Sequence, residues 1–394
     1  MAIGDILSKG VNYAIIGLLV YYLFIDEAHR EKHYEKSVSE QIELTKPGKL
    51  LNSTFQLEEH GYSKKYLKEL NINNIYSPIF GLQSMNQVRF KKVEHYSFMF
   101  DNKIVQIAAA DVYIGGNIFV IVYDYDTKEL IYENKDLLPF IDKAQIPKLA
   151  DNVFACEGDY SSEKDGLSVK VKKQKVSGNI CRSTVEFSAK DKTQGKVVFS
   201  RNMDHDDMYN IFPMTEDNKY WYYNLKAYNI DCSGTFNGVK LNSCVGASDY
   251  GRGLFPYKTN WTWGTATGKS GNYTISLELG GGIPDKTSNT FEDGFKIDDK
   301  VYKLNPLEFT YDKLNYMNGF VIKTHPMHTA DEKNTADLVF RAHYVHKKKD
   351  NLIIIKSNMD YVYGTFSGWV TDDNGVKHEF NNIYGFIEIA KFKW

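Results

Sequence analysis

Residues 249–268 read DYGRGLFPYKTNWTWGTATG and set an acid, a guanidinium, two indoles and four glycines in one short stretch. Asp249 precedes Arg252 by three residues, near enough to pair with it across a bend that Gly251 and Gly253 permit. Trp261 and Trp263 are two apart, so on a strand both indoles share a face. That combination suits a cavity for a hydrophobic ligand, with Asp249 and Arg252 as its polar end. The plainer reading has the indoles filling a barrel while the ion pair fixes a corner. Glu278, Asp285 and Glu292 follow downstream. In an apolar pocket that raised their pKa they would suit general-acid addition of water to a double bond; otherwise they are solvated loop acids.

Other stretches carry less chemistry. The triple glycine 280–282 is not followed by the helix that a phosphate cradle needs, so no nucleotide site is expected. The run MDHDD at 203–207 has its polar residues adjacent rather than at ligand spacing, which reads as a solvated turn. His343 and His346 precede Lys347, Lys348 and Lys349 and read as a surface turn. No GxSxG elbow occurs. Neither a metal nor a cofactor is expected.

The elements that must hold these residues are strands. SFMFDNKIVQIAAADVYIGGNIFVIVYDYDTKELIYE, residues 97–133, reads as successive strands with a turn at Asp126-Thr127-Lys128 and a bend or bulge at Gly115-Gly116. Similar runs recur to the end of the chain, where Asn374-Gly375 is a strong hairpin signal. Many strands with regular turns, and no alternation with helices, argue for barrels or sandwiches. The 394 residues suffice for more than one domain. The expectation is a mainly β protein with an anchor and stalk over 1–50 and two β domains over 51–215 and 216–394. Lys+Arg total 48 against 50 Asp+Glu, so charge gives no reason to expect nucleic acid as a partner. Cys156, Cys181, Cys232 and Cys244 are irregularly spaced with no CxxC, which argues against zinc. Two disulfides would use all four, but the reading taken is four buried thiols. Glycosylation sequons begin at Asn52, Asn260 and Asn272.

The amino-terminal stretch GVNYAIIGLLVYYLFI, Gly10 to Ile25, contains no charge. As a helix it spans about 24 Å, somewhat less than a hydrocarbon core of about 30 Å. Leu18 sits at its middle, and Tyr22 suits an interface. DEAHREKHYEK follows directly, without a small-residue cleavage site, so a retained single-pass anchor in membrane lipid is expected, with a charged helical stalk after it. Lys9 precedes the span, whereas Arg30, Lys32 and Lys36 follow it. The positive-inside count therefore puts the large body on the cytosol-like or matrix-like side.

Several segments together resemble a known family. DVYIGGNIFVIVYDYDTKELI, GTFNGVKLN, SDYGRGLFPYKTNWTWGTATG, ISLELGGGIPDKTSNTFEDGFKIDDKVYKL, YVYGTFSGWV and YGFIEIAKFKW occur in the order found in the uncharacterised family called domain of unknown function two-eight-zero-four. That family is distantly similar to carotenoid hydratases of the hydroxyneurosporene synthase type, to AttH-like proteins and to some Diels–Alderase-type cyclases. The resemblance covers roughly residues 55 to 394 and implies two lipocalin-like β-barrel domains in tandem. Two positions depart from the family pattern: Phe255 stands where a tryptophan is usual, and Met359-Asp360 where a His-Gln pair is common.

The functional expectation follows from the added anchor and the altered Met359-Asp360 site. The chain reads as a membrane-anchored, non-catalytic accessory subunit, with the other subunits of a membrane complex as partners. Its Asn-, Lys- and Tyr-rich composition points to an AT-rich eukaryotic genome, and a mitochondrial inner-membrane respiratory assembly is favoured over the endoplasmic reticulum. The alternative is a hydratase, isomerase, cyclase or carrier whose partner is a hydrophobic, isoprenoid-like small molecule.

Overall fold

The computed structural model describes residues 41–394 except 73–85, 87, 113–114, 140–146, 216, 282–291, 327–328, 330–331, 352–355 and 394. The expected span, with Gly10, Leu18, Tyr22 and Ile25, lies outside the described residues, as does Asp285. Among the described residues no helix is long and apolar enough to cross a membrane.

The chain is mainly β, built as two curled half-barrel sheets. Along the first sheet the neighbours are Glu129–Pro139, Gly115–Asp124, Lys103–Asp111, Phe90–Phe100, Val245–Leu254, Trp221–Phe236, Gln194–Asn202, Ile180–Ser188, Leu167–Val176 and Tyr160–Lys164. The second sheet is ordered Lys300–Lys303, Gly294–Ile297, Tyr273–Gly281, Lys258–Ser270, Lys377–Lys393, Lys356–Thr371, Ala336–Asn351, Phe320–Thr324 and Leu307–Tyr311. Neighbouring strands along both orders are antiparallel, so short turns join most of them. The change of sheet comes between Leu254 and Lys258 rather than at residue 215. Residue 215 lies instead in the turn between Met208–Pro213 and Trp221–Phe236, which pair directly in the first sheet. The Gly115-Gly116 pair, expected at a bend, opens a regular strand.

Each sheet curls around its own core. Tyr96, Phe98, Phe154, Phe199, Trp221 and Tyr223 fill the first, and Phe295, Phe320, Phe340 and Phe366 the second. Strands with a wet outer face alternate strictly, as in LSVKVKKQKV, where Leu167, Val169, Val171 and Lys173 point inward. Lys103–Asp111 and Gly115–Asp124 are apolar on both faces because the second sheet covers their outer side. There Ile104, Phe119, Ile121, Tyr123 and Tyr125 meet Trp263, Tyr361, Tyr363 and Phe386 in a third apolar cluster. Tyrosines stack across this seam: Tyr123 on Tyr363 with ring centres 4.3 Å apart, and Tyr125 on Tyr384 at 4.4 Å. The Tyr125 hydroxyl also donates to the Gly385 carbonyl at 3.0 Å.

The four cysteines form two disulfides, Cys156–Cys181 and Cys232–Cys244, which corrects the expectation of free thiols. Their Cα atoms lie 5.6 and 5.3 Å apart, inside bridging range. The pairing follows from folding rather than spacing. Cys156 leaves a short 3-10 turn with φ 67° and is carried against the strand Ile180–Ser188. Cys232 and Cys244 lie on adjoining parts of a strand and its returning loop. The loops closed span 25 and 12 residues, for which chain entropy gives each bridge roughly 3 kcal/mol. Replacing both members of either pair by serine should lower the unfolding free energy by about that amount. Urea denaturation of the serine variants checks this, and unchanged stability would contradict it.

Candidate acid–base site

The site is built where the two sheets meet. The strand Val245–Leu254 lies in the first sheet between Phe90–Phe100 and Trp221–Phe236. With side chains alternating, Tyr250 and Arg252 turn into the first core while Asp249 and Gly251 turn to the seam. Asp249 and Arg252 therefore do not pair, contrary to the expectation from their spacing: positions three apart on a strand lie on opposite faces. Arg252 instead donates to Glu94 at 2.8 Å and to the carbonyls of Val93, Gly251 and Ala150. Lys173 takes the other oxygen of Glu94 at 2.5 Å, so two buried cations share one buried carboxylate. This trio fixes the inside of the first sheet. Gly251 has a packing reason: a Cβ there would lie 1.9 Å from the Tyr222 hydroxyl oxygen.

On the seam face Asp249 stands opposite Lys226, and Lys226 Nζ meets Asp249 Oδ2 at 2.7 Å. The second sheet brings Glu278 Oε1 to 3.1 Å and Glu292 Oε1 to 3.6 Å of the same ammonium. Lys226 Nζ also sits 4.2 Å from the centre of the Trp263 ring. Tyr228 donates to Glu278, and Asn224 donates to Glu292. Asn210 continues the chain, donating to Asn224 at 2.9 Å and accepting from Lys303 at 3.0 Å. Register explains the convergence. Glu278 pairs with Thr265, and Gly280 with Trp263, so these positions are neighbours along two adjacent strands. Gly280 has no side chain in the space that Glu292 occupies; a Cβ would fall 2.8 Å from the Glu292 Cβ. This is what the triple glycine's first member does.

Burial sets the electrostatics. It pushes the Glu278 carboxyl up to about 8 and raises that of Glu292, against the pull of Lys226. Burial opposes charge on Lys226, but Asp249, Glu278 and Glu292 around it hold its pKa well above the usual range. Three carboxyls thus share one ammonium, and Glu278 holds a proton near neutral pH. His95, opposite Asp249 in the neighbouring strand, is pushed down to about 3 by burial and by Lys226, so its imidazole is neutral. Its ring meets Trp263 edge-on at 5.8 Å. Nearby, burial lifts Asp293 to about 7 and lowers Lys303 to about 8. The Trp263 indole nitrogen and Asp249 Oδ1 are buried without a hydrogen-bond partner.

Of the residues singled out in the sequence, Asp249, Trp263, Glu278 and Glu292 come together around Lys226. Glu278 and Glu292 are not solvated loop acids: Glu278 lies inside a strand with no exposed surface, and Glu292 is 8% exposed. Trp261 lies one step along, stacked on Phe392 and donating to Glu388 at 2.6 Å. Glu388 is itself lifted to about 7 by burial. Arg252 belongs to the first core, and Asp285 is not among the described residues. Sequence reasoning missed Lys226, Tyr228, His95 and Glu388. A single lysine inside the aromatic run YWYYNLKAYNI, and a single acid inside FIEIA, were the signals available. Two other expectations change. Asp207, read as part of a solvated turn, is buried against Arg201 at 3.0 Å. His343 and His346, read as a surface turn, lie in the strand Ala336–Asn351, where His346 meets Glu133 at 3.1 Å.

A cleft beside the site, lined among others by Met99, Ala247, Thr265 and Phe386, has room of about 20 Å³, enough for one water.

The chain belongs to the family described as "Domain of unknown function (DUF2804)", whose model matches residues 41–394. No curated protein matches it. Among solved structures, a protein of Nitrosomonas europaea described provisionally as an AttH is similar over 77% of this chain and 93% of its own, at 10% identity and a TM-score of 0.39.

Two outcomes are expected of the cluster. Lys226→Met leaves three buried carboxyls without their cation and should cost roughly 3–5 kcal/mol, part of which Glu278→Gln restores in the double variant. A double-mutant cycle by urea denaturation reads this, and strict additivity would contradict the contact. The second outcome concerns pH. Glu278 holds a proton in the folded state that unfolding releases, because its folded pKa near 8 exceeds the ordinary 4.5. Its contribution to stability is complete below 4.5 and is lost as pH rises to about 8. Glu278→Gln should therefore gain stability relative to the parent as pH rises through that window. A difference that stays constant with pH would contradict it.

Proposed function

We propose that the seam is an acid–base site that transfers a proton to an unsaturated, hydrophobic small molecule of isoprenoid-like character. The observation that carries this reading is the convergence of Asp249, Glu278 and Glu292 on Lys226 beside Trp263, with Glu278 held protonated near neutral pH. Buried ionic clusters of this kind add little to stability compared with apolar packing, and perturbed carboxyls gather where chemistry is done. In this reading Glu278 gives its proton to one carbon of a double bond, and the adjacent carbon becomes cationic. The excess of carboxyls over ammonium, with the Trp263 and Tyr228 rings, favours that cation. Water adds to it with Asp249 taking the water's proton, which completes a hydration; loss of a neighbouring proton instead gives an isomerisation. The Gly10–Ile25 segment would hold the body at the membrane where such molecules dissolve.

Organic extraction of the purified protein followed by mass spectrometry tests for the ligand, and the extract supplies the assay substrate. Glu278→Gln should lower turnover about 10²–10⁴-fold, with the ligand still bound. Extracts free of any specific small molecule from protein purified in mild detergent would count against the site.

A second reading keeps the chain as a non-catalytic accessory subunit of a larger membrane complex, with a mitochondrial inner-membrane respiratory assembly as first choice. The tight packing of the cleft beside the site, about 20 Å³ against the several hundred of an ordinary ligand pocket, favours it. Gentle extraction and native electrophoresis decide: co-migration with other subunits supports this reading, and migration as a lone monomer counts against it.

A further inference from the structure

We infer that the body of this chain resides in an oxidising compartment, on the face of the membrane opposite to the one its flanking basic residues would select. The proposal rests on cysteine chemistry and stands apart from the acid–base site. All four cysteines are closed into two bridges, and no free thiol is found among the described residues. Cys156 and Cys181 are buried, at 3% and 2% exposure, so this bridge is part of the packed first sheet. There is no CxxC and no resolving thiol beside either bridge, so neither has the arrangement of a redox catalyst or sensor.

Closing each bridge removes two protons and two electrons from two thiols. By thiol–disulfide exchange they pass to the disulfide of an oxidoreductase: a mixed disulfide forms, the second cysteine thiolate attacks it, and the oxidoreductase leaves as its dithiol. Compartments supplied with such oxidants keep pairs of this kind closed, while glutathione and thioredoxin keep cytosolic pairs reduced. Against this, the positive-inside count sets Lys9 alone against Arg30, Lys32 and Lys36. That bias rests on three side chains, whereas the Cys156–Cys181 bridge is buried within the first sheet's packing and Cys232–Cys244 packs against it. The body therefore belongs on the lumenal or intermembrane-space-like side.

The sequons separate the two oxidising sites. Asn260 and Asn272 are exposed, and Asn52 is partly so. At Asn52 the Thr54 hydroxyl already donates to the Asn52 side-chain carbonyl at 2.8 Å. A lumenal body would carry glycan at one or more of them, and an intermembrane-space body would carry none.

The test uses the full-length chain in its native membranes. Thiols are trapped by acid quench and labelled with a maleimide mass tag before and after reduction. The expected result is no tag before reduction and four after it. Tags on the unreduced chain would overturn the proposal. The double variant Cys232→Ser/Cys244→Ser should still take none before reduction and only two after. If that variant fails to accumulate, mass spectrometry of the unreduced parent reads the Cys156–Cys181 and Cys232–Cys244 cross-linked peptides directly, and their absence overturns the proposal. Protease added to sealed vesicles or organelles gives the topology: a body cut only from the cytosol-like or matrix-like side would also overturn it. A mobility shift with endoglycosidase assigns the lumen, and closed bridges without a shift assign the intermembrane space; both agree with the proposal.

Discussion

Lys226 is buried at the line where two sheets meet, and the anions around it keep its ammonium charged. Its own sheet supplies a single partner, Asp249, from the neighbouring strand. The others, Glu278 and Glu292, come from the opposite sheet. The half-barrels must therefore dock with Tyr273–Gly281 against Trp221–Phe236, and with Glu292 close over Gly280. Asn210 and Asn224, paired on adjoining strands of the first sheet, extend the same constraint by linking Lys303 of the second sheet to Glu292 in one hydrogen-bonded chain. Carboxyls that elsewhere would be ionised and wet are here dry and partly protonated, and their chemistry follows from that docking.

The apolar part of the architecture was plain in the residue pattern. Alternation placed strands such as Leu167–Val176, and turn residues marked hairpins at Asp126-Thr127-Lys128 and Asn374-Gly375. The runs around 104–110 and 118–123 read as strands too, but that both their faces are covered is seen only in the fold. What local pattern could not convey was which surface covers which. Period two puts Asp249 and Arg252 on opposite faces, yet a reading that expected a bend between them paired them. The partners they in fact take, Lys226 and Glu94, lie 23 and 158 residues away. The disulfides were hidden for the same reason, since strand adjacency and not spacing brings Cys156 to Cys181.

The candidate site was half legible. Four of its members drew attention by type: an acid in a glycine-rich motif, an indole, and two acids in a strand-rich region. Lys226 did not, because a lysine on a strand is ordinarily a solvent-facing residue. Its position between Leu225 and Ala227, both buried in the first core, gives no hint that its own face is covered as well. The second sheet provides that cover, and no local pattern reports it.

The stacked tyrosines across the seam carry a consequence for the protein's energetics. Tyr123 on Tyr363 and Tyr125 on Tyr384 interlock rings from both sheets, and Gln106 of the first sheet accepts from the Tyr363 hydroxyl at 2.5 Å. Pulling the half-barrels apart would expose these rings to water and strand Lys226 from two of its carboxyls at once. Neither half can melt without stripping the other, so two tandem units of related shape share one cooperative transition, and each acts as the other's missing wall.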